Sequence, residues 1–270
     1  MRGGRQEAEF ERGRFYILTL GCPKNIVDSE GMGQLLRQAG YEPMDEPRRA
    51  DLLIVNTCGF LQAAAAESLA ALRELARHKR KGQLLIAAGC LSQRDGAGIA
   101  RAIPAVDGII STRHWPDIVP LVRRLQEGRD GPQFHQPGAE TADPLTVPLN
   151  RLGHLGASAY LKIGDGCNAP CAFCTIPAIK GPGRSRGREL ILAEARQLVA
   201  QGVQEIILIA QDATAYGRDR GERDALPGLI ADIVQAVPTL RWLRLMYAYP
   251  GHATRRLIEV MAAHPQVCHY

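Results

Sequence analysis

Two stretches of the chain alternate short apolar runs with amphipathic runs, and a stretch between them does neither. In the first, "FYILTL" (15–20), "DLLIVN" (51–56), "QLLIAAG" (83–89) and "DGIIS" (107–111) are apolar without alternation, which predicts strands buried on both faces. Helical periodicity over 28–40 and 61–80, and again near 115–126, fills the gaps between them. Asp28 and Ser29 are suited to cap the first helix and Gly40 to end it. In the second stretch, predicted strands at 159–163, 203–211 and 241–249 alternate with helices at 188–202, near 227–237 and at 253–264. Apolar strands alternating with helices predict parallel sheets covered by helices, an α/β fold. Residues 127–158 are rich in Gly and Pro and show no apolar period, so they read as a linker. The expected organisation is a polar extension over 1–13, an α/β domain over 14–126, the linker, and a second α/β unit over 159–270.

Composition narrows the class. With 270 residues, 46% hydrophobic and 23% charged, the chain reads as soluble and globular. No apolar run approaches the roughly 18 residues of a membrane span, and the polar start lacks the apolar core of a signal peptide. A cytoplasmic protein without membrane contact is expected. The net charge of +5 is compatible with a nucleic-acid or ribosomal partner. Only five of the 33 basic residues are lysine, an arginine bias that genomic base composition explains.

The cysteines carry the chemistry. Seven is an odd number, and a reducing compartment favours metal ligation or catalysis over disulfides. Cys268 reads as a buried small hydrophobe without a role. Cys22, Cys58 and Cys90 each follow a predicted strand, beside Gly21, Gly59 and Gly89. In a parallel sheet those strand ends share one edge, where ligands bind, so the three thiols are expected to converge. Cys167, Cys171 and Cys174 are spaced C-x3-C-x2-C in "GDGCNAPCAFCTIP" (164–177). Structural zinc expects four ligands and a redox dithiol two; three thiolates suit a 4Fe–4S cluster with one iron open. Gly164 and Gly166 allow tight turns, Pro170 and Pro177 stiffen the loop, and Phe173 is placed to shield a cluster.

C-x3-C-x-aromatic-C after the first strand of such a unit resembles the radical S-adenosylmethionine enzymes. Paired with three scattered N-terminal cysteines, it resembles the methylthiotransferases among them. "LGCPKNIVDSE" (20–30), "NTCGF" (56–60), "AGCLSQR" (88–94), "LKIGDGCNAPCAFCTIP" (161–177) and "AQDATAYGRD" (210–219) are similar to the branch that modifies an aspartate β-carbon of ribosomal protein S12. Gly187 departs from the family's usual proline, and Arg94 precedes "DGAG" where a tyrosine is usual. The resemblance implies two 4Fe–4S clusters, one on Cys22, Cys58 and Cys90 and one on Cys167, Cys171 and Cys174. It implies S-adenosylmethionine as cofactor, protein S12 as partner and an electron donor such as flavodoxin. It also implies an N-terminal methylthiotransferase domain followed by a (β/α) radical barrel and a small TRAM β-barrel. The chain holds only part of that, so a truncated barrel is expected. Gln211 and Asp212, at the end of the second barrel strand, are candidates for cofactor contact or for capping the next turn, with Thr214 and Tyr216 beside them. Lys180, Arg184, Arg186 and Arg188 form a basic loop suited to a cofactor carboxylate or an acidic substrate, Arg186 foremost. A tRNA-modifying enzyme and a non-catalytic iron–sulfur or zinc-binding protein remain open alternatives.

Overall fold

A computed structural model describes residues 13–128, 132–135, 142–151 and 156–270; most of the expected N-terminal extension lies outside them. The first unit runs β1 (Arg14–Thr19), α1 (Pro23–Gln38), β2 (Glu42–Pro43), β3 (Leu52–Thr57), α2 (Gln62–His78), β4 (Leu84–Gly89), α3 (Cys90–Ala102), β5 (Gly108–Ser111), α4 (Ile118–Gln126) and β6 (Gln133–Phe134). Its strands form one sheet in the order β2-β1-β3-β4-β5-β6, every pair parallel. The whole of β3 is buried, as its unbroken apolar run predicts. One face packs on α2 and α3 through Leu53, Val55, Leu72 and Leu85; the other packs on α1 and α4 through Ile54, Ile86, Met32 and Leu121.

Two expectations are corrected here. Helix α1 begins at Pro23 rather than 28, because proline at the first position is pre-set for a helix and loses no bond there. Asp28 and Ser29 therefore lie inside the helix, buried, and cap nothing. The stretch expected as linker is partly built in. β6 extends the first sheet along β5, and Leu145 and Leu149 are buried, Leu149 in the core beneath α1.

The second unit runs β7 (Ser158–Lys162), β8 (Gly164–Asp165), α5 (Ile176–Lys180), β9 (Arg184–Ser185), α6 (Arg188–Ala200), β10 (Glu205–Ile209), α7 (Ala225–Ala236), β11 (Trp242–Leu245) and α8 (Arg255–Ala263). β7, β10 and β11 form a parallel sheet in the order β11-β10-β7. An isolated parallel bridge joins Leu243 of β11 to Val267. Gly202, at φ +94°, closes α6 as its position predicts. The two units share a core: Ile209, Tyr160, Ile207, Met246 and Tyr247 of the second pack into the cluster beneath α1.

Candidate active site: two cysteine sets at one junction

Strand register brings the N-terminal cysteines together. Thr19 pairs with Asn56, and Thr57 pairs with Gly89, so β1, β3 and β4 end nearly level. Cys58 and Cys90 are the next residues on their strands, and Cys22 stands just before the first residue of α1. A side chain at Gly21 would meet the Cys58 Cβ at 2.8 Å and its Sγ at 3.0 Å, so the turn before Cys22 presses against Cys58. Gly21 has φ +94°, which suits glycine alone on both counts.

Asn25 joins the set. Its Nδ2 donates to the carbonyls of Leu20 (2.8 Å) and Thr57 (3.1 Å). Its Oδ1 lies 4.0 Å from the Cys22 Sγ and 3.8 Å from the Cys90 Sγ. Asn56 donates to the Asn25 carbonyl and to the Ser29 hydroxyl, each at 2.9 Å. The Ser68 hydroxyl accepts from the Cys58 amide at 2.9 Å. Cys22 and Cys90 both stand at helix N-termini whose first turns hold no acidic residue. Burial pushes the uncharged Cys90 thiol up to about 11, against the pull of Lys180, so a metal binding there displaces a proton.

The second set sits on a closed lasso. β8 and β9 pair antiparallel, Gly164 with Ser185 and Asp165 with Arg184, and pinch the loop between them at its base. The Cys167 amide donates to the Gly181 carbonyl (3.1 Å) and the Cys174 amide to the Cys171 carbonyl (3.0 Å). A Cβ at Gly166 would lie 2.0 Å from the Pro182 carbonyl oxygen, so only glycine lets the lasso close. The far end of the lasso docks on the first unit. Arg113, just past β5, donates to the carbonyls of Ile179 (2.9 Å) and Ala178 (3.0 Å) and so caps α5.

A buried ionic network lies where the units meet. Asp28 of α1 accepts from Lys162 and, at 3.2 Å, from Lys180. Asp165 accepts from Lys180 (3.1 Å), Lys162 (3.4 Å) and Gln211 (2.7 Å). Burial alone would raise the Asp165 carboxyl; Lys180 and Lys162 beside it hold it far below the usual range. Lys180 is shifted the other way, held charged by Asp165 and Asp28 against its burial.

A cavity of about 340 Å³ opens beside the lasso, lined by Cys167, Asn168, Asp212, Tyr216, Arg218 and His252. That is within the ~300–1,000 Å³ of small-ligand sites. Asp212 reaches it, held by the Thr214 amide (3.0 Å) and by His252 Nδ1 (2.7 Å). Gln211 stands at the same strand end, its Oε1 buried without a hydrogen-bond partner among the described residues.

Other expected site residues are placed differently. The Arg186 guanidinium is buried on Glu194, which Arg151 also pairs at 2.5 Å. It does not line the cavity, because Glu194 on α6 is itself buried and requires a cation. Arg184 pairs with Asp143 and Arg188 with Asp232, so with Lys180 the whole basic loop is neutralised by carboxylates. Phe173 is 84% exposed. Sequence reasoning missed Asn25, Asn56, Ser68 and Arg113, although Asn25 stands inside the quoted "LGCPKNIVDSE".

The donor sets fit iron–sulfur clusters. Among the described residues, no three His, Cys, Asp or Glu side chains are close enough to share a single metal ion. A cubane takes its thiolates on separate irons, and each set offers three cysteines, one on three neighbouring strand ends and one along the lasso.

The family model described as uncharacterized protein family UPF0004 matches residues 14–111, and that of the radical SAM superfamily matches residues 161–268. The ribosomal protein uS12 methylthiotransferase RimO of Chloroflexus aurantiacus is 47% identical over 271 residues, covering 95% of this chain and 59% of that protein. The RimO of a Roseiflexus species is 46% identical, covering 95% and 58%. The chain thus spans about three fifths of the length of these curated relatives. Among solved structures, the radical S-adenosylmethionine methyltransferase TsrM of Kitasatospora setae, with cobalamin and a [4Fe-4S] cluster bound, superposes with a TM-score of 0.62 at 13% identity. That match covers 95% of this chain and 60% of that one and shows a shared fold. With both family models matched in this order and relatives nearly half identical along it, the chain is similar over nearly its whole length to the radical SAM methylthiotransferases.

Proposed function

We propose that this chain is the cluster-bearing part of an enzyme that adds a methylthio group to the β-carbon of an aspartate in ribosomal protein uS12. The observation that carries the reading is a three-cysteine set at the first unit's strand ends and a three-cysteine lasso whose base is tied to that unit by the Asp28–Lys162 and Asp28–Lys180 pairs. Cys22, Cys58 and Cys90 would hold one 4Fe–4S cluster, and Cys167, Cys171 and Cys174 the other. When bound, the clusters and S-adenosylmethionine supply the electron, the hydrogen-abstracting radical and the sulfur. The chain's own residues bind and orient. Asn25 spaces Cys22 from Cys90, Arg113 fixes the lasso against the first unit, and the network excludes water between them. Asp212, which lines the cavity beside Cys167, is the candidate to meet S-adenosylmethionine, with Gln211 next to it on the same strand end. An external one-electron donor of the flavodoxin type completes the scheme.

The test is iron and acid-labile sulfide per chain after anaerobic reconstitution, with and without Cys167, Cys171 and Cys174 changed to alanine. About eight irons falling to about four is expected for two cubanes. Four falling to none would show that the N-terminal thiols hold no cluster. Stoichiometric zinc without sulfide would replace the radical reading with a structural one. Incubation with uS12 and with tRNA then identifies the acceptor, and methylthiolated tRNA with unmodified uS12 would move the chain to the other branch.

A further inference from the structure

Three of the chain's five lysines are buried at the junction: Lys24, Lys162 and Lys180. Two of them are ion-paired and one is not. Lys162 and Lys180 share Asp28 and Asp165. The other deeply buried cations of this core, Arg151 and Arg186, are paired with Glu194. Lys24 is only 6% exposed, yet none of its hydrogen bonds or ion pairs lies among the described residues. Its Nζ rests 3.2 Å from the centroid of the Tyr247 ring. The neighbouring carboxylates are already engaged by other donors. Both Asp28 oxygens are taken by lysines, one Asp165 oxygen by two lysines and the other by Gln211 and the Gly166 amide.

A buried ammonium without a carboxylate is costly, and an aromatic face offsets only part of that cost. The ring that holds it is itself held under strain: Tyr247 has φ +64°, rare for a non-glycine residue. Its carbonyl accepts from the Ala213 amide at 2.9 Å, which fixes this turn to the loop after β10. Lys24 is two residues past Cys22, on the first turn of α1; burial disfavours its charge, and Cys22 and then Asp165, at the base of the lasso, favour it. It therefore stands between the N-terminal cysteine set and the base of the lasso that carries the other set.

We propose that Lys24 is the cation that receives the carboxylate of the acceptor aspartate, with the Tyr247 ring holding it in place until that carboxylate arrives. A charge-assisted bond to the carboxylate positions the adjacent β-carbon and selects aspartate over an uncharged side chain of the same shape. The inference rests on the proposed uS12 aspartate as substrate.

The experiment is binding of a labelled peptide of the uS12 segment carrying the acceptor aspartate, against the same peptide with asparagine. It is run on the reconstituted wild-type chain and on Lys24→Met and Lys24→Arg, with iron counted in each. The wild type is expected to prefer the aspartate peptide on the order of 10- to 100-fold. Lys24→Met should bind both alike with its iron intact, and Lys24→Arg should keep most of the preference. Removing Lys24 orphans no buried carboxylate, so the methionine variant is expected to fold. A methionine variant that keeps the preference overturns the role of Lys24 and leaves the substrate reading standing. A methionine variant that loses about half its iron shows that Lys24 serves the Cys22 set instead and overturns the proposal. A wild type with no preference overturns the aspartate substrate itself, and the role of Lys24 falls with it.

Discussion

Asn25 shows how much one short side chain contributes to this site. It is buried, it ties the loops after β1 and β3 together through the Leu20 and Thr57 carbonyls, and its oxygen separates two thiols. Asn25→Ala leaves both carbonyls without that donor. A loss of about 1–3 kcal/mol is expected in denaturant unfolding of the metal-free chain. Iron retained by the N-terminal set should fall with it, while iron on the lasso should not. Gly21→Ala is expected to be as damaging by another route, since the new methyl would collide with Cys58 in a backbone conformation that disfavours it. The six cysteines were legible in the sequence because spacing and strand ends carry the information. Asn25 was not, because its partners are carbonyls on separate loops whose meeting depends on register. Arg186 misled for a related reason: a basic residue in a loop reads as exposed until Glu194, a turn into the next helix, is seen to be buried too.

The elements meet through charges as much as through apolar faces. Asp28 on α1 is the first unit's contribution to the network, and Lys162 and Lys180 are the second's. Asp28→Asn leaves two buried ammonium groups sharing Asp165 alone. A cost of about 3–5 kcal/mol is expected, measured as a lowered denaturation midpoint. Within the second sheet, Glu205 on β10 accepts from Ser158 on β7 (2.7 Å) and Arg244 on β11 (2.8 Å), clamping three strands across their register. Burial would raise its carboxyl, but these two partners hold it below its ordinary value. A depressed carboxylate stabilises the fold above the unfolded value near pH 4.3 and loses that contribution as pH falls through its folded value. Thermal unfolding of wild type should therefore weaken more steeply than that of Glu205→Gln between about pH 5 and pH 3. The alternating pattern gave the long strands to within a residue or two, except β11, which ends at Leu245 where 249 was expected, because burial on both faces writes itself into unbroken apolar runs. It could not give β6, β8 or β9, which are two residues each and carry no period.

For the molecule as a whole, the two units are continuous rather than merely joined. Leu149, in the stretch expected as linker, is buried against Gly31 of α1, and the Gln34 side chain accepts from the Asn150 amide (2.7 Å) and donates to the Pro148 carbonyl (3.2 Å). Arg151 bridges Glu30 and Glu194, one from each unit, each at 2.5 Å. Leu149→Ala is expected to cost about 2–5 kcal/mol in equilibrium unfolding, as for a core leucine, where a leucine in a free tether would cost next to nothing. No described helix is long and apolar enough to cross a membrane.

Gln34 and Leu149 also bear on where the chain can be cut. By sequence the first unit closes with α4 at Gln126; in space it closes near Arg151, after the chain has crossed the back of α1. A segment excised at the first of these points would leave behind its own outermost strand and the plug over Trp115. Anyone grafting this unit onto a different barrel would have to carry the crossing stretch along, and would find the seam two dozen residues later than the glycines and prolines advertise.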